Sequence, residues 1–153
     1  MNRKSDKMPS RLRIAGVAIS LAILSAGCPS GGPVNEAGPV NMSTVSFAND
    51  IQPILTANCI VCHQPGGFAM TFNGIPMDLR EGQAFASILN QQSSQNDSFT
   101  LVTPNDSSQS LLFRKVSEDN PPVGETMPFS GGRLSSENLA LIRDWIDQGA
   151  MNN

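Results

Sequence analysis

Residues Cys59–His63, with the sequence CIVCH, contain two of the chain's three cysteines and its only histidine. At helical spacing Cys59 lies three residues before Cys62 and four before His63, so the three side chains can project from one face. The chain of 153 residues has seven Phe, one Trp and no Tyr, so large side chains to fill a core are scarce. This motif therefore favours a fold built around a bulky group held by these three residues.

The pattern Cys-x-x-Cys-His is the attachment pattern of c-type haem. Three other uses of these residues remain open. A disulfide between Cys59 and Cys62 would close a very short loop and stabilise little. A zinc site needs four ligands, and the sequence has no second histidine or cysteine pair. A thioredoxin-like redox pair needs a βαβ context, which the sequence does not show. The sequence predicts one covalent haem c on Cys59 and Cys62, with His63 as an iron ligand.

The N-terminus carries a basic segment followed by the uncharged run Ile14–Gly27. This pattern predicts a signal peptide over residues 1–27, and the run is shorter than the ~20 residues of a spanning helix. The stretch LSAGC resembles a bacterial lipobox, although Ser25 stands where that motif usually has Leu. It predicts lipidation at Cys28; ordinary cleavage, which would leave a bare thiol, is the alternative. Export also suits haem attachment, which bacteria carry out outside the cytoplasm.

Composition divides the remainder into three parts. Residues 28–44 are rich in Gly and Pro and are predicted to contain the lipid site and a flexible tether, residues 45–150 a single domain, and residues 151–153 a tail. After removal of residues 1–27, five basic residues face twelve acidic ones, a net charge near −7. No basic patch remains, so a nucleic-acid partner is not expected.

Apolar residues in the domain recur at helical spacing and predict about four helices. The fourth is the clearest, with Ser135 as N-cap and Gly149 at its end, and the third is predicted to be capped by Asp106 or Ser107. The four segments are SFANDIQPILTANCIVCH, REGQAFASILNQ, TPNDSSQSLLFRKV and LSSENLALIRDWIDQGA. The stretches between them, QPGGFAMTFNGIPMD and EDNPPVGETMPFSGGR, are predicted to be long loops that wrap a bound group.

A second iron ligand is expected from a methionine. Met127 is the candidate because Pro128 restricts its backbone and would help to hold a thioether in place. Met70 and Met77 are predicted to fill gaps in the core, and Met42 and Met151 lie in the predicted tether and tail.

Three stretches resemble the small monohaem cytochrome c modules of planctomycete and myxobacterial exported proteins, and the resemblance covers most of residues 45–150. They are FANDIQPILTANCIVCHQPGG, LVTPNDSSQSLLFRKV and MPFSGGRLSSENLALIRDWIDQGA. The resemblance implies an all-α, cytochrome c-like fold around one haem, attached at Cys59 and Cys62, with His63 as the proximal ligand and Met127 as the distal one.

Two axial ligands would leave the iron no open position for a substrate. The sequence therefore predicts a carrier of single electrons between redox proteins, not an enzyme. It is expected to be a monomer facing the periplasm of a Gram-negative-type bacterium, held to a membrane by its lipid. Two alternatives remain: a small-ligand sensor with a displaceable distal methionine, and an assembly subunit whose haem is structural.

His63 is expected to donate its second ring N–H to the loop NGIPM. Wall residues are expected at Phe68, Phe72, Phe113, Phe129, Leu139, Ile142 and Trp145.

Overall fold

The structure is a computed structural model, and it describes residues 43–153. The predicted signal peptide, the predicted lipidation site Cys28 and the rest of residues 28–42 lie outside the described residues. A π-helical segment, Phe47–Ile51, continues into α1, Gln52–Asn58. The helices that follow are α2, Phe68–Phe72; α3, Ala84–Ile88; α4, Leu111–Ser117; and α5, Ser136–Asp147. The described part has no β-strand, only the isolated bridges Leu89 to Val102, Gln92 to Thr100 and Thr100 to Ser110.

The first helical segment follows the prediction from its apolar spacing. The Ser46 side chain accepts a hydrogen bond from the Asn49 amide and caps the segment. Pro53 stands at the start of α1, where a missing amide hydrogen costs little. All four residues of the predicted inner face are buried: Phe47, Ile51, Ile54 and Leu55.

Helix α5 also begins and ends as predicted. The Ser135 side chain accepts a hydrogen bond from the Asn138 amide, and Gly149, just beyond the helix, has a φ of +104°. Glycine adopts this left-handed backbone without the steric cost of a Cβ. Ile142, Trp145 and Ile146 face the core from this helix.

Two local predictions are wrong. Helix α4 begins at Leu111 after Ser110, not at Asp106 or Ser107. The Asp106 carboxylate instead accepts hydrogen bonds from the Gln109 amide and the Ser108 hydroxyl, which closes a separate turn. The predicted loop QPGGFAMTFNGIPMD contains the short helix α2, in which Phe68 and Phe72 lie four residues apart with ring centroids 5.1 Å apart.

Trp145 connects the last helix to the first. Its ring centroid lies 5.2 Å from that of Phe47, which in turn packs 5.3 Å from Phe85 of α3. Its indole Nε1 donates to the Met151 carbonyl at 2.9 Å. This core is helical and is completed by loops, and the cytochrome c-like fold remains a prediction. Among residues 43–153, no helix is both long enough and apolar enough to cross a membrane.

Replacement of Trp145 by alanine should lower the free energy of unfolding by roughly 3–5 kcal/mol, the usual cost of removing a buried aromatic side chain. The side chain is only 1% exposed, so the change leaves a cavity. Urea denaturation measures the effect. Arg143→Ala, on the exposed side of the same helix, should change stability by no more than about 0.5 kcal/mol. Equal losses in the two variants would contradict this account of the core.

Candidate functional site

The CIVCH motif folds as a turn that continues from the end of α1. The Cys59 amide donates to the Leu55 carbonyl at 2.9 Å, which extends the helical pattern by one residue. The amides of Cys62 and His63 then both donate to the Cys59 carbonyl, at 3.2 and 3.0 Å. The motif is therefore fixed by backbone hydrogen bonds to the helix that precedes it.

The chain after His63 turns back onto the motif. Gly67 lies so close to Cys62 that an added Cβ would collide with the Cys62 carbonyl group, so a larger residue would displace this turn. The same carbonyl accepts a hydrogen bond from the Ala69 amide at 3.1 Å. Further on, the Leu79 amide donates to the His63 carbonyl at 2.9 Å. Both sides of the histidine are thus held by the segment 67–79.

A cavity of about 680 Å³ opens beside the motif, within the size range of pockets that hold small molecules and cofactors. Cys59, Cys62, His63 and Met127 all line it. Helix α4 contributes Leu111, Leu112 and Val116, and the loops add apolar residues that include Ile75, Pro76 and Leu79. The structure therefore brings together four residues that are separated by up to 68 positions in the sequence.

Met127 reaches this cavity from the loop that follows α4. Its amide donates to the Lys115 carbonyl at 2.7 Å, one of the carbonyls that the end of α4 leaves without a helical partner. Met77 lines the same cavity and also packs against the core, whereas Met70 does not line the cavity. Two methionines therefore face the space beside His63, and the assignment of Met127 as ligand stays a prediction.

Burial controls the protonation of the motif. His63 is only 8% exposed, and its pKa is lowered by desolvation first and by the positive charge of Lys115 second. Both effects favour the neutral imidazole, the form that binds metals. Desolvation, followed by the nearby Cys62, raises the pKa of Cys59 to about 11, so this side chain is a protonated thiol at neutral pH. Both cysteines of the described residues are free thiols, so the alternative of a disulfide is not observed.

The mouth of the cavity is apolar and exposed. Val61, Phe68 and Phe129 line the cavity and are 76%, 57% and 74% exposed. The prediction of wall residues is right for Phe68 and Phe129 but wrong for the other five, which do not line the cavity. Ile142 and Trp145 are buried in the core and Phe72 is exposed, while Phe113 and Leu139 pack against the edge of the core.

The donor set fits a covalently bound haem. Two thiols, one imidazole and two thioethers line a mainly apolar space. Within residues 43–153, no cluster of three or more His, Cys, Asp and Glu could hold a bare metal ion. The predicted hydrogen bond from His63 to the NGIPM loop is absent: Nδ1 is buried without a partner. The contact that forms nearby is the hydrogen bond from the Leu79 amide, two residues beyond this loop, to the backbone carbonyl of His63.

Sequence reasoning missed Lys115 as a residue of this site. Its side chain is half-buried, lines the cavity and donates from Nζ to the Val123 carbonyl at 2.6 Å. The signal was present in the spacing, because Lys115 follows Leu111 by four residues and so lies on the same face of α4. A lysine on a short helix more often lies at the protein surface. The contact of Lys115 with the loop cannot be predicted from the helix spacing, because that spacing does not determine where the loop lies.

Comparisons with known proteins give a partial match. No family model matches the chain. The chain is similar to hydrazine synthase subunit alpha of Kuenenia stuttgartiensis, with 30% identity over 143 residues, which is 81% of this chain and 18% of that protein. The solved structure of Kuenenia stuttgartiensis hydrazine synthase matches 70% of this chain and 16% of that chain, at 27% identity and a TM-score of 0.48.

The prediction that the chain is not an enzyme is wrong, because the protein that it resembles is a subunit of a synthase. The error has a physical reason. A Cys-x-x-Cys-His motif and a methionine indicate how a cofactor is bound, and they do not indicate what the protein does with it. The same kind of binding site can belong to a separate electron carrier or to one segment of a catalytic subunit. The chain spans less than a fifth of the relative, so the two are compared over this segment alone.

Proposed function

We propose that residues 45–150 form a cytochrome c-like domain that binds one haem c covalently and transfers single electrons within a redox system. The observation that carries the proposal is the convergence of Cys59, Cys62, His63 and Met127 on one cavity. The similarity to part of a hydrazine synthase subunit further supports a role within an enzyme assembly. When bound, the haem supplies reversible one-electron oxidation and reduction at its iron.

Each residue of the site has a separate task in this proposal. Cys59 and Cys62 would hold the haem through thioether bonds, His63 would present a neutral imidazole to its iron, and Met127 would supply a thioether ligand. The apolar lining excludes water, and this combination of ligands and burial raises the reduction potential. The exposed side chains of Val61, Phe68 and Phe129 mark the side from which a redox partner can approach.

A mass measurement and an absorption spectrum on the purified mature protein test the proposal. Expression together with a bacterial haem-attachment system should give a polypeptide one haem heavier than its sequence and a spectrum of a low-spin, six-coordinate iron. A mass equal to the bare polypeptide, under conditions that load another c-type cytochrome, would remove the basis for the proposal.

Carbon monoxide separates the electron carrier from the ligand sensor. The reduced protein should bind carbon monoxide slowly or not at all, because Met127 would occupy the second axial position. Rapid binding by the unaltered protein would favour a sensor in which that position is open. Met127 is only half-buried, and this partial exposure of the proposed ligand is the observation that favours the second function.

The proposal also includes an exported protein that is attached to a membrane through lipid on Cys28. Replacement of Cys28 by alanine should move the protein from the membrane fraction to the soluble fraction, because a lipidated cysteine would be the anchor. Fractionation followed by immunoblotting measures this change. A variant that stays with the membrane would show that another segment holds it there.

A further inference from the structure

The loop between α4 and α5 carries Met127 and contains no helix or strand of its own between residues 118 and 135. Such a segment needs contacts outside itself to hold one side chain in a fixed position. Two of its hydrogen bonds come from a single residue, Lys115. The Lys115 carbonyl accepts from the Met127 amide at 2.7 Å, and Nζ of Lys115 donates to the Val123 carbonyl at 2.6 Å.

The two bonds hold the loop on either side of the turn that leads to Met127. Gly124, with a φ of +56°, forms this turn next to Nζ of Lys115. A Cβ added at Gly124 would lie 3.2 Å from that nitrogen. Thr126 adds a hydroxyl that donates to the carbonyls of Glu118 and Asp119, at 3.0 and 2.9 Å. These last bonds close the loop on itself, whereas the Lys115 bonds tie it to the cavity wall.

Charge makes the Nζ bond the stronger of the two contacts. A hydrogen bond from an ammonium group is roughly twice as strong as one between neutral groups, and half-burial reduces its competition with water. The four arginines among the described residues form ion pairs with Asp or Glu. Among the cationic side chains of residues 43–153, that of Lys115 is the one that donates a hydrogen bond to the backbone of this loop.

We infer that Lys115 is a positioning residue for Met127: its ammonium group fixes the loop at Val123 so that the methionine thioether is held against the iron. The inference rests on the proposed function, because it assigns to Lys115 the task of maintaining the distal ligand. It adds a residue that neither the Cys-x-x-Cys-His motif nor the Met-Pro pair indicates.

Lys115→Met tests the inference, since methionine keeps the apolar stem and removes the ammonium group. In the oxidised holoprotein, the methionine-to-iron charge-transfer band should weaken, and the reduced holoprotein should bind carbon monoxide about tenfold faster, as expected for the loss of one charged hydrogen bond. Lys115→Arg, which restores a cationic donor, should recover most of the band.

Arg114→Met is the matched control, because it removes one positive charge from the neighbouring position of α4 and breaks the ion pair with Glu118, but leaves both Lys115 hydrogen bonds to the loop intact. It should leave the band and the carbon monoxide rate unchanged. Gly124→Ala perturbs the same contact from the loop side and should weaken the band even if Lys115→Met folds poorly, with folding followed by circular dichroism.

Two results would overturn the inference: a Lys115→Met protein with the band and rate of the unaltered protein, or an Arg114→Met protein with the same loss as Lys115→Met. Met127→Ala distinguishes this failure from that of the proposed function. If Met127→Ala abolishes the band while Lys115→Met does not, only the role of Lys115 fails. If Met127→Ala leaves the band intact, the distal ligand was assigned wrongly, and both the role of Lys115 and the proposed ligand set fail.

Discussion

Replacement of Met127 by alanine should lower the reduction potential of the holoprotein by roughly 0.2 V, a fraction of the range of about 0.8 V that axial ligands of haem iron span. The physical reason is that a thioether ligand favours the reduced iron and raises the potential. Its loss opens one coordination position, so the reduced variant should bind carbon monoxide rapidly. Voltammetry and carbon monoxide mixing measure the two effects. The fold should persist, because Met127 lies half-buried in a loop and packs at the edge of the core.

Met77→Ala provides the matched control for this prediction. Met77 is also a methionine that lines the cavity, so its removal changes the size and polarity of the cavity to a similar extent. Its segment is bonded to His63 through the Leu79 amide, whereas Met127 reaches the cavity from the loop that follows α4 and is bonded to Lys115. Met77→Ala should therefore retain the charge-transfer band and a nearly unchanged potential. A lost band in Met77→Ala together with an intact one in Met127→Ala would reverse the assignment.

Replacement of both Cys59 and Cys62 by serine should abolish covalent haem attachment completely. Each thiol lines the cavity, and neither is engaged in a disulfide. Serine keeps the size of the side chain but cannot form a thioether. Haem should then be extracted by acidic acetone from the double variant and should remain on the unaltered polypeptide under the same treatment. Mass spectrometry of the denatured proteins gives the number of attached haems directly.

Cys28→Ala is the control for the double cysteine variant, because it removes the remaining cysteine of the chain. It should keep one haem on the polypeptide. The single variants Cys59→Ser and Cys62→Ser should each retain haem through one thioether, with a lower yield. Haem that survives denaturation in the double variant would place the attachment elsewhere and contradict the proposed site.

The sequence allowed much of the helical framework to be predicted, for reasons that are local. The apolar spacing of Phe47, Ile51, Ile54 and Leu55 fixes which side of the first helix is buried. Ser135 and Gly149 mark the limits of α5, because a hydroxyl can accept from the first free amides and glycine can adopt a positive φ. These signals act within a few residues, so they can be read from the sequence without the rest of the chain.

The predictions that failed depended on competition between nearby alternatives. Asp106 has the chemistry of an N-cap, but its carboxylate closes a turn with Ser108 and Gln109, and α4 begins five residues later. Phe113 and Trp145 have the size of cavity-wall residues, yet they pack with the core. Residue type alone does not decide which of two apolar environments a side chain enters, because burial in either removes similar area from water.

Sequence alone determined the composition of the candidate site: two thiols and an imidazole at fixed spacing, and a methionine whose backbone is restricted by proline. Only the tertiary structure decided that Met127 and His63 face the same cavity, and that Met77 and Lys115 face it too. The physical reason is that the Met127 loop is held by carbonyl and ammonium groups of Lys115, through hydrogen bonds whose geometry depends on the packing of α4. The motif specifies what can be bound, and the packed helix specifies which side chains meet it.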